Sequence, residues 1–429
     1  MKTFYIHSMG CKSNQYEGSV IAKNLIENGL QIADSIEVAD IFILNSCSVT
    51  HKSDNEALYL LRNAKHKNPN VINIITGCVA QIEKEKLLKF DFVDIVVGND
   101  EKLNLYKIIK SASQKNCFVK NIMEQDIFNY STVEDITKTR MYIKIQDGCD
   151  NRCSYCIIPF ARGKSRSAKI EFVIDEINKA SKNCYKEVVL TGIHIGQWGK
   201  DFGLKFVDLI KEIEKTNILR YRLGSLNPLE INDELLEILS KSKKFCPHFH
   251  LSLQSACDKT LKSMNRFYKV EDYLKQIEKI NTLFDLPFLG SDIITGFAGE
   301  TEDDFNTTVN NLNLSSLTQI HTFPYSIREG TLGATLANQI PEDVRQKRAD
   351  VIKKLSSQKL ENFIKKNIGT TREVLIQKTL DKKTGKLKGI TRNYLTIIID
   401  SDDSSLANTI QKAKIKEYSN GKIYGELKL

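Results

Sequence analysis

The sequence has no apolar run approaching the roughly 18 residues that a membrane-spanning helix needs. Its first residues, Met1-Lys2-Thr3-Phe4-Tyr5-Ile6-His7, lack the apolar segment of a secretory signal. These two absences predict a cytoplasmic protein with no membrane partner, in a compartment where thiols stay reduced. No long internal repeat or low-complexity tract stands out. The apolar deficit of a disordered chain is missing too: 41% of residues are hydrophobic and 27% charged, as in soluble globular domains. What the chain does carry is ten cysteines. In a reducing compartment they point to metal or redox chemistry, or to core packing, rather than to a disulfide framework.

At 429 residues the chain has room for about two to four domains. Its 62 basic and 53 acidic residues leave a net charge of +9, which suits an anionic partner such as nucleic acid. The first third alternates apolar runs at 3–8, 39–44 and 71–76 with helical spacing at 15–28 and 53–66. That pattern predicts an N-terminal doubly wound α/β domain. Cys11, Cys47 and Cys78 each follow one of its strands, and strand ends of such sheets gather in one crevice. A polar stretch over 121–138 reads as a linker. Six further strands are predicted at 141–146, 187–193, 220–226, 248–254, 289–296 and 318–325, with helical patterns between them. They suggest a curved parallel sheet or partial barrel. A charged helix opens at Pro341, and short β-rich runs with turn signals then predict a small antiparallel β-barrel.

Directly after the first strand of the second series stands Asp147-Gly148-Cys149-Asp150-Asn151-Arg152-Cys153-Ser154-Tyr155-Cys156, a C-x3-C-x2-C triplet. Three thiolates so close in a loop can grip three irons of a cubane cluster and leave the fourth open to a small molecule. The blander readings are packing cysteines or a zinc site. Zinc in structural sites usually takes a fourth protein ligand, and no second cysteine or histidine pair lies nearby.

The triplet resembles that of the radical S-adenosylmethionine enzymes. Its downstream flank, Ile157-Ile158-Pro159-Phe160-Ala161-Arg162-Gly163, is similar to the methylthiotransferase family within them. So are Met9-Gly10-Cys11-Lys12-Ser13-Asn14, Asn45-Ser46-Cys47-Ser48-Val49-Thr50 and Thr76-Gly77-Cys78-Val79-Ala80-Gln81. The resemblance spans essentially the whole chain. It implies a methylthiotransferase domain over 1–120, the linker over 121–138, a radical-SAM partial (βα)6 barrel over 139–345, a connecting helix over 346–366 and an RNA-binding TRAM-like barrel over 367–429. It further implies two 4Fe-4S clusters, one on Cys149, Cys153 and Cys156 that binds S-adenosylmethionine, and an auxiliary one on Cys11, Cys47 and Cys78. Tyr155, Thr191, Gly192, Ser252, Gln254 and Arg266 would contact the cofactor, and an electron donor would serve as partner. Ala298 departs from the proline usual in the family, which puts that loop's geometry in doubt.

By the same resemblance, a cofactor-derived radical abstracts hydrogen from C2 of a modified adenosine beside the tRNA anticodon. The flanks look most like the subgroup acting on N6-threonylcarbamoyladenosine at position 37. Subgroups acting on isopentenyladenosine or on a ribosomal-protein aspartate remain alternatives, as does a non-catalytic iron–sulfur RNA-binding regulator. Lys382, Lys383, Lys386, Lys388 and Arg392 are candidates for contacting RNA phosphates, with Lys412, Lys414 and Lys416 nearby and Tyr394 or Tyr418 for stacking bases. Cys117, Cys184, Cys246 and Cys257 read as packing residues, and His248 and His250 share one strand face.

Overall fold

A computed structural model describes residues 2–111, 115–129, 131 and 138–428. The N-terminal sheet has six strands in the order Gln31–Ile32, Thr3–Ser8, Ile41–Ser46, Ile72–Gly77, Ile95–Val97 and Asn116–Phe118. Every pairing in it is parallel. The three apolar runs read from the sequence are its three long neighbouring strands. The three that the sequence does not reveal have only two or three residues each, too few for a period to show. Ile41–Ser46 is buried along its whole length, because helices cover both faces and its side chains are apolar in near-unbroken succession.

The central region is a partial barrel. Its strands Met141–Lys144, Glu187–Thr191 and Arg220–Leu223 form one parallel group; Ser225–Leu226, His248–Leu251, Phe288–Thr295 and Gln319–Pro324 form another. A parallel bridge from Tyr221 to Phe245 carries the curvature from one group to the next. Helices lie between the strands, as in Phe206–Lys215, which buries Phe206, Val207, Leu209, Ile210 and Ile213 on one face. Alternate strand residues such as Val188, Leu190, Tyr221 and Leu223 join those helices in the main core. Their neighbours Glu187, Arg220 and Arg222 therefore face the lumen.

The helix Glu342–Asn367 packs along the last core strand and leads into a closed five-stranded barrel. Four of the barrel's pairings are antiparallel, and one, between Thr396–Ile399 and Lys422–Leu427, is parallel. Its strand Leu387–Thr391 has no clear sequence signal, since Lys388 and Gly389 interrupt its apolar texture. The barrel's 390–395 segment closes the floor of the core lumen. Arg222 donates to the carbonyls of Thr391 (2.6 Å) and Arg392 (2.7 Å), and Tyr394 stacks on His248 with centroids 3.9 Å apart.

Of the predicted linker over 121–138, residues 130 and 132–137 lie outside the described residues. Ile122 and Phe128 are buried, so the part that is described packs onto the molecule. Cys246 and Cys257 are buried as expected of packing residues, but Cys117 and Cys184 are exposed, which corrects that reading. No helix among the described residues is long and apolar enough to cross a membrane.

Candidate functional site

The cysteine loop begins where the first core strand ends, and a fully buried glutamine ties it down. Gln146 donates to the carbonyls of Asp147 (2.9 Å) and Gly148 (2.7 Å), while its own carbonyl accepts from the backbones of Ile193 (3.1 Å) and His194 (2.7 Å). One side chain thus fixes the triplet loop against the end of the second strand. Gly192 is needed for this contact: a Cβ there would sit 2.8 Å from the Gln146 backbone carbonyl oxygen. The far side of the loop is held by Ser154, which bonds Met264 through its amide (3.0 Å) and Ser263 through its hydroxyl (2.8 Å). The sequence alone does not single out Gln146, since one glutamine in an apolar strand carries no periodic signal.

Cys149, Cys153 and Cys156 line a cavity of about 440 Å³, together with Cys11 of the N-terminal domain. Tyr155, Ser252, Gln254 and Arg266 line it too. Thr191 and Gly192 stand behind the wall, and it is their neighbours Ile193 and His194 that face the cavity. Gln254 keeps a positive φ of 75°, held by bridging to Ile293. Arg266 places a guanidinium nitrogen 3.6 Å from the Cys153 sulfur while bonding the Ser252 carbonyl at 2.7 Å. His194 lies 3.5 Å from the Cys149 sulfur and pairs with Glu230 at 2.5 Å. Burial opposes its protonation, but the hydrogen bonds to Cys149 and Glu230 outweigh it and push the imidazole up to about 9. Both thiols therefore have a cationic donor beside them, an arrangement suited to sulfur ligands carrying negative charge.

The second trio is assembled from three strand ends. Cys11 caps the helix Lys12–Glu27, Cys47 follows the strand Ile41–Ser46, and Cys78 follows Ile72–Gly77. Gly10, with φ +78°, lets the loops meet: a Cβ there would lie 2.6 Å from the Cys47 sulfur. Asn14 donates to the carbonyls of Met9 (3.0 Å) and Ser46 (2.8 Å), and Asn45 donates to that of Asn14 (2.8 Å). Burial, with Cys78 and Cys11 close by, pushes the Cys47 thiol up to about 12. Burial and Cys153 do the same for Cys156. Occupation of either trio by metal would displace those protons. Among the described residues no three His, Cys, Asp or Glu side chains converge as a single ion requires. The three thiol donors of each trio suit a cluster that takes each thiolate on a separate iron.

Two buried clamps tie the N-terminal domain to the core beside the trios. Glu17, one and a half turns beyond Cys11, accepts from Arg162 (2.6 and 3.0 Å), Lys102 (2.5 Å) and Lys144 (2.6 Å). Arg162 also reaches Asn14 at 2.5 Å. Burial alone would raise the Glu17 pKa, but the three cations hold the carboxyl well below its usual range. On the other side Arg328, 3% exposed, bonds Asp54 and Ser48, next to Cys47.

The C-terminal barrel divides the predicted RNA contacts. Lys382 and Lys383 are exposed, and Lys388 is partly so. Lys386 is engaged by Asp400. Arg392 and Tyr394 do not fit the reading made of them. Arg392 donates to the carbonyls of Lys243 (2.6 Å) and Phe245 (2.5 Å), and Tyr394 lies between His248 and Phe288. Both serve to dock the barrel on the core.

Comparison with known proteins bears on this arrangement. The Radical SAM superfamily matches residues 143–312, and a family described as Uncharacterized protein family UPF0004 matches residues 3–98. The radical S-adenosylmethionine methyltransferase TsrM of Kitasatospora setae shares the fold over 75% of this chain and 72% of its own, with a TM-score of 0.55 at 14% identity. Curated relatives are nearer. The threonylcarbamoyladenosine tRNA methylthiotransferases MtaB of Aquifex aeolicus and Bacillus subtilis are 34% and 32% identical over 86% and 99% of this chain, and 91% and 96% of theirs. A tRNA-2-methylthio-N(6)-dimethylallyladenosine synthase of Clostridium botulinum is 32% identical over 97% of this chain and 95% of its own. With Cys11 of one cysteine trio opening onto the cavity lined by the other trio, and relatives of this kind along its length, the chain belongs to the radical S-adenosylmethionine methylthiotransferases, enzymes that use S-adenosylmethionine and 4Fe-4S clusters.

Proposed function

We propose that the enzyme adds a methylthio group to C2 of N6-threonylcarbamoyladenosine at position 37 of tRNA, in the cytoplasm. The observation that carries this reading is the single cavity onto which Cys11 of one trio and all three cysteines of the other open. Cys149, Cys153 and Cys156 would hold a cluster with one iron free of protein thiol, and Cys11, Cys47 and Cys78 would hold the auxiliary one. When bound, these groups and S-adenosylmethionine supply the radical chemistry and the sulfur that side chains cannot.

The chain's own residues bind, orient and shield. Tyr155, Ser252, Gln254 and Arg266 surround the cofactor space, and Arg266 and His194 steady the charge of the cluster thiolates. Ile157, Ile158, Ile193, Ile294 and Phe323 give the cavity walls that exclude water. The C2–H bond of adenine is not acidic, so no general base is assigned. A regulator that only carried clusters to RNA would need no such shared cavity. Lys382 and Lys383 are suited to draw in the tRNA backbone through their exposed charge.

Nucleoside mass spectrometry of tRNA from a strain lacking this protein tests the reading. The 2-methylthio form of N6-threonylcarbamoyladenosine should vanish while the unmethylthiolated nucleoside accumulates. Its persistence would refute the proposal; loss of 2-methylthio-isopentenyladenosine instead would assign the other tRNA substrate.

A further inference from the structure

The core lumen beneath the cavity carries more positive than negative charge. Glu187 is fully buried there, and Arg140 (3.6 Å), Arg220 (2.9 Å) and Arg222 (2.7 Å) converge on it. Arg220 and Arg222 spend further N–H groups on the 390–392 carbonyls of the C-terminal barrel. Glu373 approaches only at the rim, 3.9 Å from Arg220. A fourth cation enters from the N-terminal domain. Lys12 follows Cys11, and its ammonium reaches inward to 5.9 Å from the Tyr394 ring. It is half-buried, and among the described residues it has no carboxylate or hydrogen-bond partner. Holding an unpaired cation out of bulk water is costly unless an anion joins it.

His321 lies on the edge strand Gln319–Pro324, with its ring 5.5 Å from that of His250. His250 is oriented by Asp292 at 2.9 Å, and Asp292 lines the cavity. Lys12 acts electrostatically on both His248 and His321, helping burial to disfavour their protonated forms. Asp292, which orients His250, and Cys11, which precedes Lys12, both line the cavity.

The two candidate adenosines differ in one respect that this region can read. Threonine joined through its amino group to a carbamoyl retains a free carboxylate, whereas an isopentenyl group is hydrocarbon. We propose that Lys12, assisted by the His321 imidazole N–H, receives the carboxylate of the N6 substituent, and that this charge selects against uncharged N6-alkyl adenosines. The inference rests on the substrate assigned above. An uncharged substituent would leave the ammonium unpaired on closure of the site, and sites built for a polar group reject analogues that lack it far more strongly than apolar pockets reject extra bulk.

The test measures binding to the full-length, anaerobically reconstituted protein with S-adenosylmethionine present. The probes are anticodon stem-loops carrying N6-threonylcarbamoyladenosine, its carboxylate methyl ester, or N6-isopentenyladenosine. Wild type should bind the free acid about tenfold to a hundredfold more tightly than the ester, the worth of a charge-assisted pair. Lys12→Met should erase that preference, Lys12→Arg should restore part of it, and affinity for S-adenosylmethionine should be unchanged. A wild type that does not distinguish acid from ester overturns the inference, as does a Lys12→Met protein that still does. Loss of S-adenosylmethionine binding in its place would show that Lys12 holds the cofactor's carboxylate, which equally overturns it. Should Lys12→Met fail to load iron because of its neighbour Cys11, His321→Ala, far in sequence from every cluster cysteine, decides the matter: undiminished acid preference refutes. If wild type methylthiolates only the isopentenyl stem-loop, the substrate reading itself falls. If it methylthiolates the threonylcarbamoyl one without regard to the carboxylate, only the role of Lys12 falls.

Discussion

Replacing Glu17 by glutamine probes how the two halves of the site are held in register. The substitution keeps the shape and removes one negative charge at a position 2% exposed. Arg162, Lys102 and Lys144 would then face each other with Asp147 as the remaining carboxylate, 3.2 Å from Arg162 and 2.7 Å from Lys144. Breaking a buried ion pair by removing one partner typically costs about 3–5 kcal/mol, because the stranded charge stays desolvated. Glu17→Gln should therefore advance the urea transition of the N-terminal domain by that amount. Arg162→Met added to it should cost far less than the sum of the singles. The functional signature is separate from stability: S-adenosylmethionine cleavage to 5′-deoxyadenosine should persist, while methylthio product per cleavage falls. The pH dependence follows from the lowered pKa of Glu17. A carboxyl depressed in the folded state contributes fully above its ordinary value of 4.5 and loses that contribution as pH falls toward the folded value. The gap between wild type and Glu17→Gln should accordingly be constant at neutral pH and shrink in acid below about 4.5. A Glu17→Gln protein with wild-type stability and coupling, or a gap that widens in acid, would refute the reasoning.

Gly10→Ala should cost the auxiliary site, since φ +78° and a Cβ 2.6 Å from the Cys47 sulfur cannot both be met. Iron content should drop to about half, the share of one of two clusters, with 5′-deoxyadenosine formation retained; full iron loading would count against it. Lys382→Ala with Lys383→Ala should weaken tRNA binding and lower the salt slope by about one for each phosphate no longer neutralised. Arg392→Ala, by contrast, should leave that slope unaltered and loosen the C-terminal barrel, which protease susceptibility of the 367–371 junction would report.

The features legible in the chain before folding were those with local signatures. The C-x3-C-x2-C triplet declares itself within eight residues, and the core strands do so as six apolar runs at βα spacing, of which 220–226 is divided into two strands. Cys11, Cys47 and Cys78 could be grouped because each follows a strand. What stayed hidden joins distant residues without a local pattern. Glu17 and Arg162 are 145 positions apart, and Arg222 and Arg392 are 170 apart. In composition, Glu17 is one of many charges, and nothing beside it marks it as buried. The same blindness misassigned Arg392 and Tyr394: a basic and an aromatic residue on a barrel of RNA-binding kind look like ligand contacts until the surface they press against is known.

That surface has a consequence for how the enzyme is dissected. The 390–395 segment floors the core lumen beneath the cavity, since its carbonyls accept from Arg220 and Arg222 and its Tyr394 covers His248. Deleting the C-terminal barrel would do more than remove an RNA handle. It would open the lumen from below, strip two buried guanidinium groups of their carbonyl acceptors and admit water beneath the cavity where a carbon radical must survive. A truncated enzyme that wastes S-adenosylmethionine would then report a leaking vessel rather than a missing grip on tRNA.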